Sequence, residues 1–551
     1  MADSKKKIAL LSNITVDLIV AKLRRKYDFY LPEGFDTWVQ EVINPASGLY
    51  NENIDSIIVL LDGTEVRSWK SIEDGESRLD LWKNALDVLV KSFKSVPIFI
   101  STIDIRENRI KSLAERTYRY YFENNWYQYI QELTENNDNV FVFDTADIIA
   151  EIGRKHFYSN KMWYMSSMPY SREGLEVVCN SIDNILESVF TPRKKIIVLD
   201  LDNTLWGGVI GEDGLEGIEL SDHKEGQRFY DFQRQLLEIK NRGILLAINS
   251  KNNVDDAEEA INNHKAMLLH DDDFVCRKIN WDNKSSNIKA MESELNLTEG
   301  GFIFIDDNPI EREIVGGECP EVIIPEFPED TTELISFAEN IWNKYCRPLR
   351  VLGEDLKKTE MYKNEVRRKQ AKSQSLDIDD YIAKLEIEVD IHRMREDELD
   401  RVVQLINKTN QFNVTTKRYT KADVEGINNN SENRIYVVYS SDKYGDSGLI
   451  SIIILTRHDS DVFIDTFLMS CRVMGRKLED VIINEILSRL SGKIIAEYIP
   501  TAKNAPVSAL YDKLGFTLLN ESEDGTKKYE MNLNDFNKKK FDNYKSIVFE
   551  G

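Results

Sequence analysis

The sequence has 551 residues, of which 42% are hydrophobic and 30% charged. This length suggests roughly three or four domains, and the composition excludes a disordered, collagen-like or membrane-embedded chain. Lys and Arg number 71 against 95 Asp and Glu, a net charge of −24, which argues against a nucleic-acid partner because such a partner requires a broad basic surface.

The cysteines and the apolar runs indicate the compartment. Five cysteines lie far apart with no CxxC pair, which argues against a disulfide framework and against a zinc site. The first apolar run is too short for the core of a signal peptide, and no later run approaches the ~20 apolar residues that span a bilayer. We therefore expect a soluble, cytoplasmic protein with no membrane partner.

Residues 1–190 alternate short β-type runs with longer amphipathic ones. This alternation predicts βαβ units and a parallel sheet. The sequence predicts strands at 8–14, 56–61, 97–101 and 140–143 and helices at 16–27, 77–94 and 110–134. The stretch VFTPRKK then interrupts the pattern with a proline and a basic cluster, so we place a domain boundary there.

The same alternation begins again in residues 191–346 and predicts a second doubly wound parallel sheet. Its strands are IIVLD, ILLAINS and GFIFIDD, and its helices lie at 228–241 and 254–264. Residues 347–376 follow as a basic helical linker, which is either solvated or docked on an acidic carrier protein. The basic residues of this linker are Lys357, Lys358, Lys363, Arg367, Arg368, Lys369 and Lys372.

Residues 377–535 have a mixed α/β pattern with antiparallel hairpins. The sequence predicts helices at 396–407 and 475–490 and strands at 434–439, 447–455 and 462–469. Residues 536–551 are predicted to form a loosely held tail. The whole chain is therefore predicted to be an α/β protein of three domains, two with parallel sheets and one with a mixed sheet.

Polar side chains follow the predicted strands of residues 191–346. Asp200 and Asp202 come directly after the first strand. Ser250 ends the second strand, Lys284 lies in NWDNKSSN, and the pair Asp306-Asp307 follows the last strand. Because the carboxyl ends of parallel strands meet at one edge of a sheet, we expect these side chains to form one site.

This set of groups suits phosphoryl transfer through an aspartyl phosphate. Asp200 would attack phosphorus, and Asp202 would protonate the leaving oxygen and later activate water. Ser250 and Lys284 would bind the remaining phosphoryl oxygens. Mg²⁺ would be bound at the same edge, because it prefers oxygen ligands. The expected metal ligands are Asp200, Asp202 through its carbonyl, Asp306 and Asp307.

The motif DLDNT, the strand-end serine, the lysine and the DD pair resemble the four motifs of the haloacid dehalogenase superfamily of phosphatases. A narrower resemblance joins DLDNTLWGGVIGEDG, SKNN, NWDNKSSN and IDDNPIERE to the FkbH-like proteins of polyketide and related assembly pathways, and it extends over most of the chain. It implies that a glyceryl unit from 1,3-bisphosphoglycerate is loaded onto an acyl carrier protein and that its phosphate ester is removed. No insertion is large enough for a cap domain, so we expect an open site.

Residues 377–535 resemble an acetyltransferase fold of the GNAT type. The segment from Cys471 to Lys477 matches the loop that holds a pyrophosphate in such folds, with Arg472 and Gly475 at motif positions. Lys477 replaces the final small residue, which disfavours tight binding of coenzyme A and suits the phosphopantetheine arm of a carrier protein. A unit that is present only for packing is the alternative.

Three residues of this unit have a functional and a structural interpretation. Cys471 lies beside Arg472 and before a helix N-terminus, which favours a thiol that accepts an acyl group, and the alternative is a buried small apolar side chain. Asn504 and Tyr511 match positions that lie near the thioester in GNAT folds. Tyr511 is equally suited to the core.

Residues 1–190 resemble a degenerate SGNH hydrolase, and this resemblance implies a flavodoxin-like parallel sheet. Ser12 follows the first predicted strand, but the late SMPYSREG segment lacks the histidine of a catalytic triad. We therefore expect a structural or docking role for this domain.

Two alternatives to the glyceryl activity stay open. The same site could dephosphorylate a sugar or another intermediate of cell-surface glycan assembly, or the protein could be a scaffold with vestigial sites. The complete set of two aspartates, a serine, a lysine and a further aspartate argues against the scaffold. Both enzymatic interpretations require a phosphorylated small-molecule substrate.

Overall fold

The computed structural model describes residues 5–63, 72–107, 110, 112–114, 117–351, 356, 358–458 and 461–550. The fold class is α/β, as predicted, with parallel sheets and one mixed sheet. Within these ranges, no helix combines the length and the apolar character that crossing a membrane would require.

The N-terminal sheet has five strands, all parallel, in the order β2-β1-β3-β4-β5. The strands are β1 (Lys7–Ser12), β2 (Asp28–Tyr30), β3 (Ser56–Leu60), β4 (Ile98–Ser101) and β5 (Val140–Phe143). The accompanying helices are α1 (Asp17–Leu23), α2 (Trp38–Ile43), α3 (Gly48–Asn51), α4 (Ile72–Ser92), α5 (Arg119–Asn136), α6 (Thr145–Ile152), α7 (Arg154–Phe157), α8 (Asn160–Ser166) and α9 (Arg172–Phe190).

Helix α5 begins nine residues later than the periodicity predicts. The side chain of Glu107 accepts hydrogen bonds from the hydroxyl of Thr117 and the backbone N–H of Tyr118, both at 2.5 Å. A carboxylate partner for the hydroxyl and backbone N–H just before Arg119 competes with the backbone hydrogen bonds of a longer helix.

The central segment contains a second parallel arrangement, in which β6 lies between β7 and β9. The strands of this segment are β6 (Ile196–Leu199), β7 (Leu245–Ser250), β8 (Phe274–Ile279) and β9 (Phe302–Ile305). Its helices are α10 (Ile210–Asp213), α11 (Gln227–Asn241), α12 (Val254–Asn263), α13 (Lys284–Leu295), α14 (Pro309–Glu318) and α15 (Leu334–Ile341). All residues of β6, β7 and β9 are buried, as continuous apolar runs in a covered parallel sheet require.

The C-terminal sheet is mixed, in the order β15-β16-β14-β13-β12-β11-β10-β17. Its strands are β10 (Glu388–Arg393), β11 (Arg434–Asp442), β12 (Gly445–His458), β13 (Asp461–Met469), β14 (Lys493–Tyr498), β15 (Thr517–Glu521), β16 (Lys527–Asn532) and β17 (Ser546–Glu550). The helices are α16 (Lys358–Ser373), α17 (Ile378–Leu385), α18 (Leu399–Lys408), α19 (Lys421–Asn429), α20 (Leu478–Leu487) and α21 (Leu510–Lys513).

The end of the chain is more ordered than predicted. Strand β17 pairs in parallel with β10 at the edge of the sheet, and Tyr544 is buried, with its hydroxyl donating to the carbonyl of Arg476 at 2.5 Å. The backbone N–H of Lys539 also donates to the side chain of Asn484 at 2.7 Å. The expectation of a loosely held tail is wrong, because an open strand edge elsewhere in the chain satisfies this backbone.

Two basic residues of helix α16 have partners within the protein. Arg368 has a side chain only 7% exposed and forms two hydrogen bonds, of 2.7 and 2.9 Å, with the buried carboxylate of Asp442. Lys369 donates to the carbonyls of Ser293 and Glu294, both at 2.8 Å. Lys357 lies outside the described residues. Arg368 and Lys369 therefore have protein partners, whereas Arg367 and Lys372 are exposed, and the role of the segment as a linker stays a prediction.

The chain divides into two compact units. The first comprises Met1–Asp273, Ile279–Trp281 and Gly300–Leu356, and the second comprises Phe274–Lys278, Asp282–Glu299 and Lys357–Gly551. The finer division into domains at 1–190, 191–346 and 377–535 stays a prediction, as do the limits of the segments at 347–376 and 536–551.

Candidate active site

The loop after β6 is a tight turn stabilised by its own backbone. Asn203 has a φ of 54°, a conformation that asparagine tolerates better than most residues. The Asn203 side chain accepts a hydrogen bond from the backbone N–H of Gly208 at 2.9 Å, and the N–H of Leu205 donates to the carbonyl of Leu201 at 2.8 Å. Asp200 and Asp202 therefore project from a rigid loop.

Three carboxylates meet at this edge. Asp200 follows β6 and the pair Asp306-Asp307 follows β9, and one oxygen atom from each of the three lies within 4.8 Å of the others. Asp200 and Asp306 are buried and Asp307 is half-buried. A cluster of hard oxygen donors at this spacing fits Mg²⁺, which otherwise completes its coordination with water or substrate oxygens.

A nearby arginine holds the loop that carries Asp306 and Asp307. Arg312 donates from one guanidinium nitrogen to the backbone carbonyls of both residues, at 2.8 and 2.7 Å. The N–H of Asn308 donates to the Asp306 carboxylate at 2.9 Å, and the Asn308 side chain caps helix α14. The sequence analysis did not identify Arg312, because its contact depends on the helix turning it back onto the loop.

The side chain of Asp202 lies outside the three-carboxylate cluster. Its Oδ1 atom accepts from Trp206 Nε1 at 2.9 Å and from the backbone N–H of Ile210 at 3.0 Å, and its Oδ2 atom accepts from Asn252 Nδ2 at 2.8 Å. The Asp202 carboxylate is thus engaged by these donors, and the role of its carbonyl as a metal ligand stays a prediction. Trp206 and Asn252 lie in the LWGG and SKNN motifs, but a motif does not show that their side chains donate to Asp202.

Ser250 is the last residue of β7 and is buried. Its hydroxyl accepts from Asn252 Nδ2 at 3.4 Å, and its carbonyl accepts from the N–H of Asn280 at 3.1 Å. Asn252 thus contacts both Asp202 and Ser250. Strand pairing therefore brings the serine to the same edge as the carboxylates, as the motif order predicts.

Lys284 is the first residue of helix α13 and is buried. The neighbouring Asn283 caps this helix by accepting from the N–H of Ser285 at 3.2 Å. The lysine belongs to the second compact unit, and its role as a phosphate-binding cation stays a prediction.

In the second unit, a short 3₁₀ turn of Cys471–Val473 precedes helix α20. Cys471 is exposed, so the interpretation of this cysteine as a buried apolar residue is wrong. Arg472 donates from Nε to the hydroxyl of Ser470 at 3.1 Å. The role of the thiol as an acyl acceptor stays a prediction.

The rest of this loop is already engaged with carboxylates of its own unit. Gly475 has a φ of 78°, which suits glycine. The buried guanidinium of Arg476 lies 3.3 Å from Asp442 and 3.4 Å from Glu365. Lys477, with a φ of 55°, forms an ion pair with Asp379 at 2.9 Å. The long side chain of Lys477 is therefore tied to a carboxylate.

Asn504 and Tyr511 are both buried residues with structural contacts in the protein interior. The Asn504 amide donates to the carbonyls of Asn413 and Ile499 at 2.9 Å each and accepts from the N–H of Thr501 at 2.8 Å. Both of its donor hydrogens are used, which leaves none for a bound coenzyme. Tyr511 is a fully buried core residue in ring contact with Tyr529, and burial raises the pKa of its phenol well above the usual value.

The corresponding edge of the N-terminal sheet contains paired charges. The hydroxyl of Ser12 donates to the carbonyl of Leu60 at 2.6 Å. Beyond β3, the buried carboxylate of Asp62 lies 2.9 Å from the guanidinium of Arg106. Such pairing suits a structural role better than a hydrolytic one.

Comparisons with known proteins give one informative similarity. No protein-family model and no curated protein matches the sequence. The crystal structure of the N-terminal part of a Bacteroides fragilis protein, which contains a phosphatase domain complexed with Mg, is 26% identical over 63% of this chain and 95% of that chain, with a TM-score of 0.55.

Two acetyltransferase structures also match. One, from Thermus thermophilus, is 12% identical and covers 27% of this chain and 98% of that chain; the other, a GNAT domain from S. lividans, is 15% identical and covers 26% of this chain and 88% of that chain. Both have a TM-score of 0.22. The α/β class with a phosphatase-type domain is confirmed by the first similarity.

Proposed function

We propose that this chain is a Mg²⁺-dependent phosphatase that works through a phosphorylated Asp200. The observation that supports this most directly is the meeting of three carboxylates, Asp200, Asp306 and Asp307, from two separate strand ends. The similarity to a phosphatase domain complexed with Mg points the same way.

Bound Mg²⁺ would neutralise part of the charge on an incoming phosphoryl group. The carboxylate of Asp200 attacks phosphorus, the bond to the leaving oxygen breaks, and Asp202 gives that oxygen a proton. Water then attacks the phosphoaspartate and gives a proton to Asp202, which releases inorganic phosphate and restores Asp200. Ser250 and Lys284 hold the other phosphoryl oxygens in this proposal.

The proposed substrate is the glyceryl unit of 1,3-bisphosphoglycerate, transferred to the phosphopantetheine arm of an acyl carrier protein. This finer proposal is supported by the resemblance to the FkbH-like proteins and by the exposed thiol of Cys471. The thiol attacks the acyl carbon of the acyl phosphate and displaces inorganic phosphate, which gives a thioester. The phosphatase site then hydrolyses the remaining phosphate ester and releases a second phosphate. Coenzyme A is less suited, because the loop residues Arg476 and Lys477 are already paired with carboxylates.

One reaction with two measurements tests both the phosphatase activity and the transfer of the glyceryl unit to a carrier protein. The protein is incubated with Mg²⁺, 1,3-bisphosphoglycerate and a holo carrier protein, and phosphate release and the intact mass of the carrier are followed. The wild-type protein is expected to yield glyceryl-carrier. The variant Asp200→Asn, which lacks the nucleophile, is expected to lose ester hydrolysis by at least about 10³-fold and to leave a carrier that is heavier by one phosphate.

The control variant is Asp222→Asn, which makes the same charge change at an exposed residue and should leave both measurements unchanged. An unchanged carrier mass with continued phosphate release would favour the plain phosphatase that acts on a sugar or other glycan intermediate. Hydrolysis of the phosphate ester on the carrier-bound glyceryl unit by Asp200→Asn at the parent rate, seen in the carrier mass, would contradict the phosphatase itself.

A further inference from the structure

The carboxylate of Asp202 is oriented by three hydrogen bonds from its surroundings. Oδ1 accepts from the indole N–H of Trp206 and from the backbone N–H of Ile210, and Oδ2 accepts from the amide of Asn252. The distances, 2.8 to 3.0 Å, are those of good hydrogen bonds. The side chain is therefore held in one orientation.

The donors differ between the two oxygens, and this difference has a chemical consequence. Each carboxylate oxygen has two acceptor positions. Both positions of Oδ1 are filled by Trp206 and Ile210, whereas Asn252 fills one position of Oδ2. Among the described residues, the remaining position is on Oδ2, so a proton on this carboxyl group resides there and points away from the donors.

The two side-chain donors are themselves fixed. Trp206 is fully buried, and the carbonyl of its neighbour Leu205 accepts a hydrogen bond from the buried amide of Gln233 at 2.8 Å. Asn252 is 5% exposed and also contacts the hydroxyl of Ser250 at 3.4 Å. Rigid, buried donors hold a carboxylate more closely than water does, because they lose no further freedom in the reaction.

We propose that Trp206 and Asn252 are positioning residues that aim Oδ2 of Asp202 at the leaving oxygen. The inference rests on the proposed phosphatase function. As Asp200 bonds to phosphorus and the ester bond breaks, the electron pair goes to the leaving oxygen, which takes the proton from Oδ2. In the second half-reaction, Oδ2 takes a proton from the attacking water as the bond from phosphorus to Asp200 breaks. The sum is a phosphate ester plus water giving an alcohol plus inorganic phosphate.

The test uses the dependence of the rate on the leaving group. Proton donation matters for phenyl phosphate, whose leaving oxygen is basic, and little for 4-nitrophenyl phosphate, whose leaving group departs as a stable anion. We measure kcat/KM for each ester at saturating Mg²⁺, because kcat/KM reports the first chemical step. In Asn252→Ala and in Trp206→Phe, we expect kcat/KM to fall about 10- to 100-fold for phenyl phosphate and less than about threefold for 4-nitrophenyl phosphate.

Matched variants separate positioning from folding. Asn253→Ala changes the adjacent exposed asparagine, whose side chain makes no capping bond, and Trp82→Phe removes another buried indole of the same unit. In both variants, kcat/KM for phenyl phosphate divided by kcat/KM for 4-nitrophenyl phosphate should equal the wild-type value. Equal losses for the two esters in Asn252→Ala would overturn the inference while leaving the phosphatase intact. Failure of the wild-type protein to release phosphate from either ester would overturn the proposed function and the inference with it.

Discussion

The five cysteines, all in described parts of the chain, differ sharply in accessibility. Cys179, Cys276, Cys319 and Cys346 are buried, and Cys471 is exposed. Burial raises the pKa of Cys179 to about 11 and that of Cys276 and Cys346 to about 12. Because the thiolate is the reactive form, these buried thiols are unreactive at neutral pH.

A thiol-labelling experiment checks this difference at the residue scale. Brief treatment of the native protein with iodoacetamide at neutral pH is expected to add one adduct, and peptide mapping should place it on Cys471. The variant Cys471→Ser should gain no adduct in the same time. Rapid labelling of any second cysteine in the folded protein would contradict the burial on which the expectation depends.

At the scale of elements, helix α16 is held by a buried charge network. Arg368 binds Asp442 with two hydrogen bonds, and Arg476 approaches the same carboxylate at 3.3 Å. The side chain of Asp442 is 1% exposed, so removing one cation leaves a buried charge with less compensation. The helix thereby joins the hairpin turn after β11 and the loop before α20.

Substitution of adjacent arginines tests the network. We expect Arg368→Ala to lower the free energy of unfolding by about 3 kcal/mol, because a buried pair is broken. The control is Arg367→Ala, at an exposed position of the same helix, which should change it by less than about 0.5 kcal/mol. Calorimetric unfolding measures both, and similar losses for the two variants would show that the buried pair is not the source of stability.

For the molecule as a whole, the acidic charge bears on metal binding. The chain has a net charge of −24, and Asp200, Asp306 and Asp307 concentrate three carboxylates within 4.8 Å. Their mutual repulsion opposes folding unless a cation offsets it. A bound divalent ion is therefore expected to stabilise the folded protein.

The stability of the protein with and without Mg²⁺ tests the metal site independently of activity. At about 100 times its Kd, Mg²⁺ should raise the free energy of unfolding by about 2.7 kcal/mol, which chelation should reverse. The variant Asp306→Asn should lose most of this stabilisation, whereas Asp222→Asn should retain it. If Mg²⁺ raised the free energy of unfolding of Asp306→Asn as much as that of the wild-type protein, the ion would not bind at Asp306.

The sequence alone determined the features that depend on local pattern and on chain order. Buried apolar runs predicted β6, β7 and β9, because a covered strand needs continuous hydrophobicity. Since parallel strands end at one edge, the motif order also predicted that Asp200, Ser250 and Asp306 would lie there. Chain direction and strand ends are encoded locally, so a linear sequence contains this information.

Only the tertiary structure decided the contacts between residues distant in the chain. Asn252 reaches Asp202 across 50 residues, and Arg368 reaches Asp442 across 74. A helical pattern cannot distinguish a solvated arginine from one whose buried partner lies on another element. A strand of only five residues, such as β17, cannot reveal the open strand edge with which it pairs. These outcomes depend on which surfaces packing brings together, because burial determines whether a charge or a backbone group needs a protein partner.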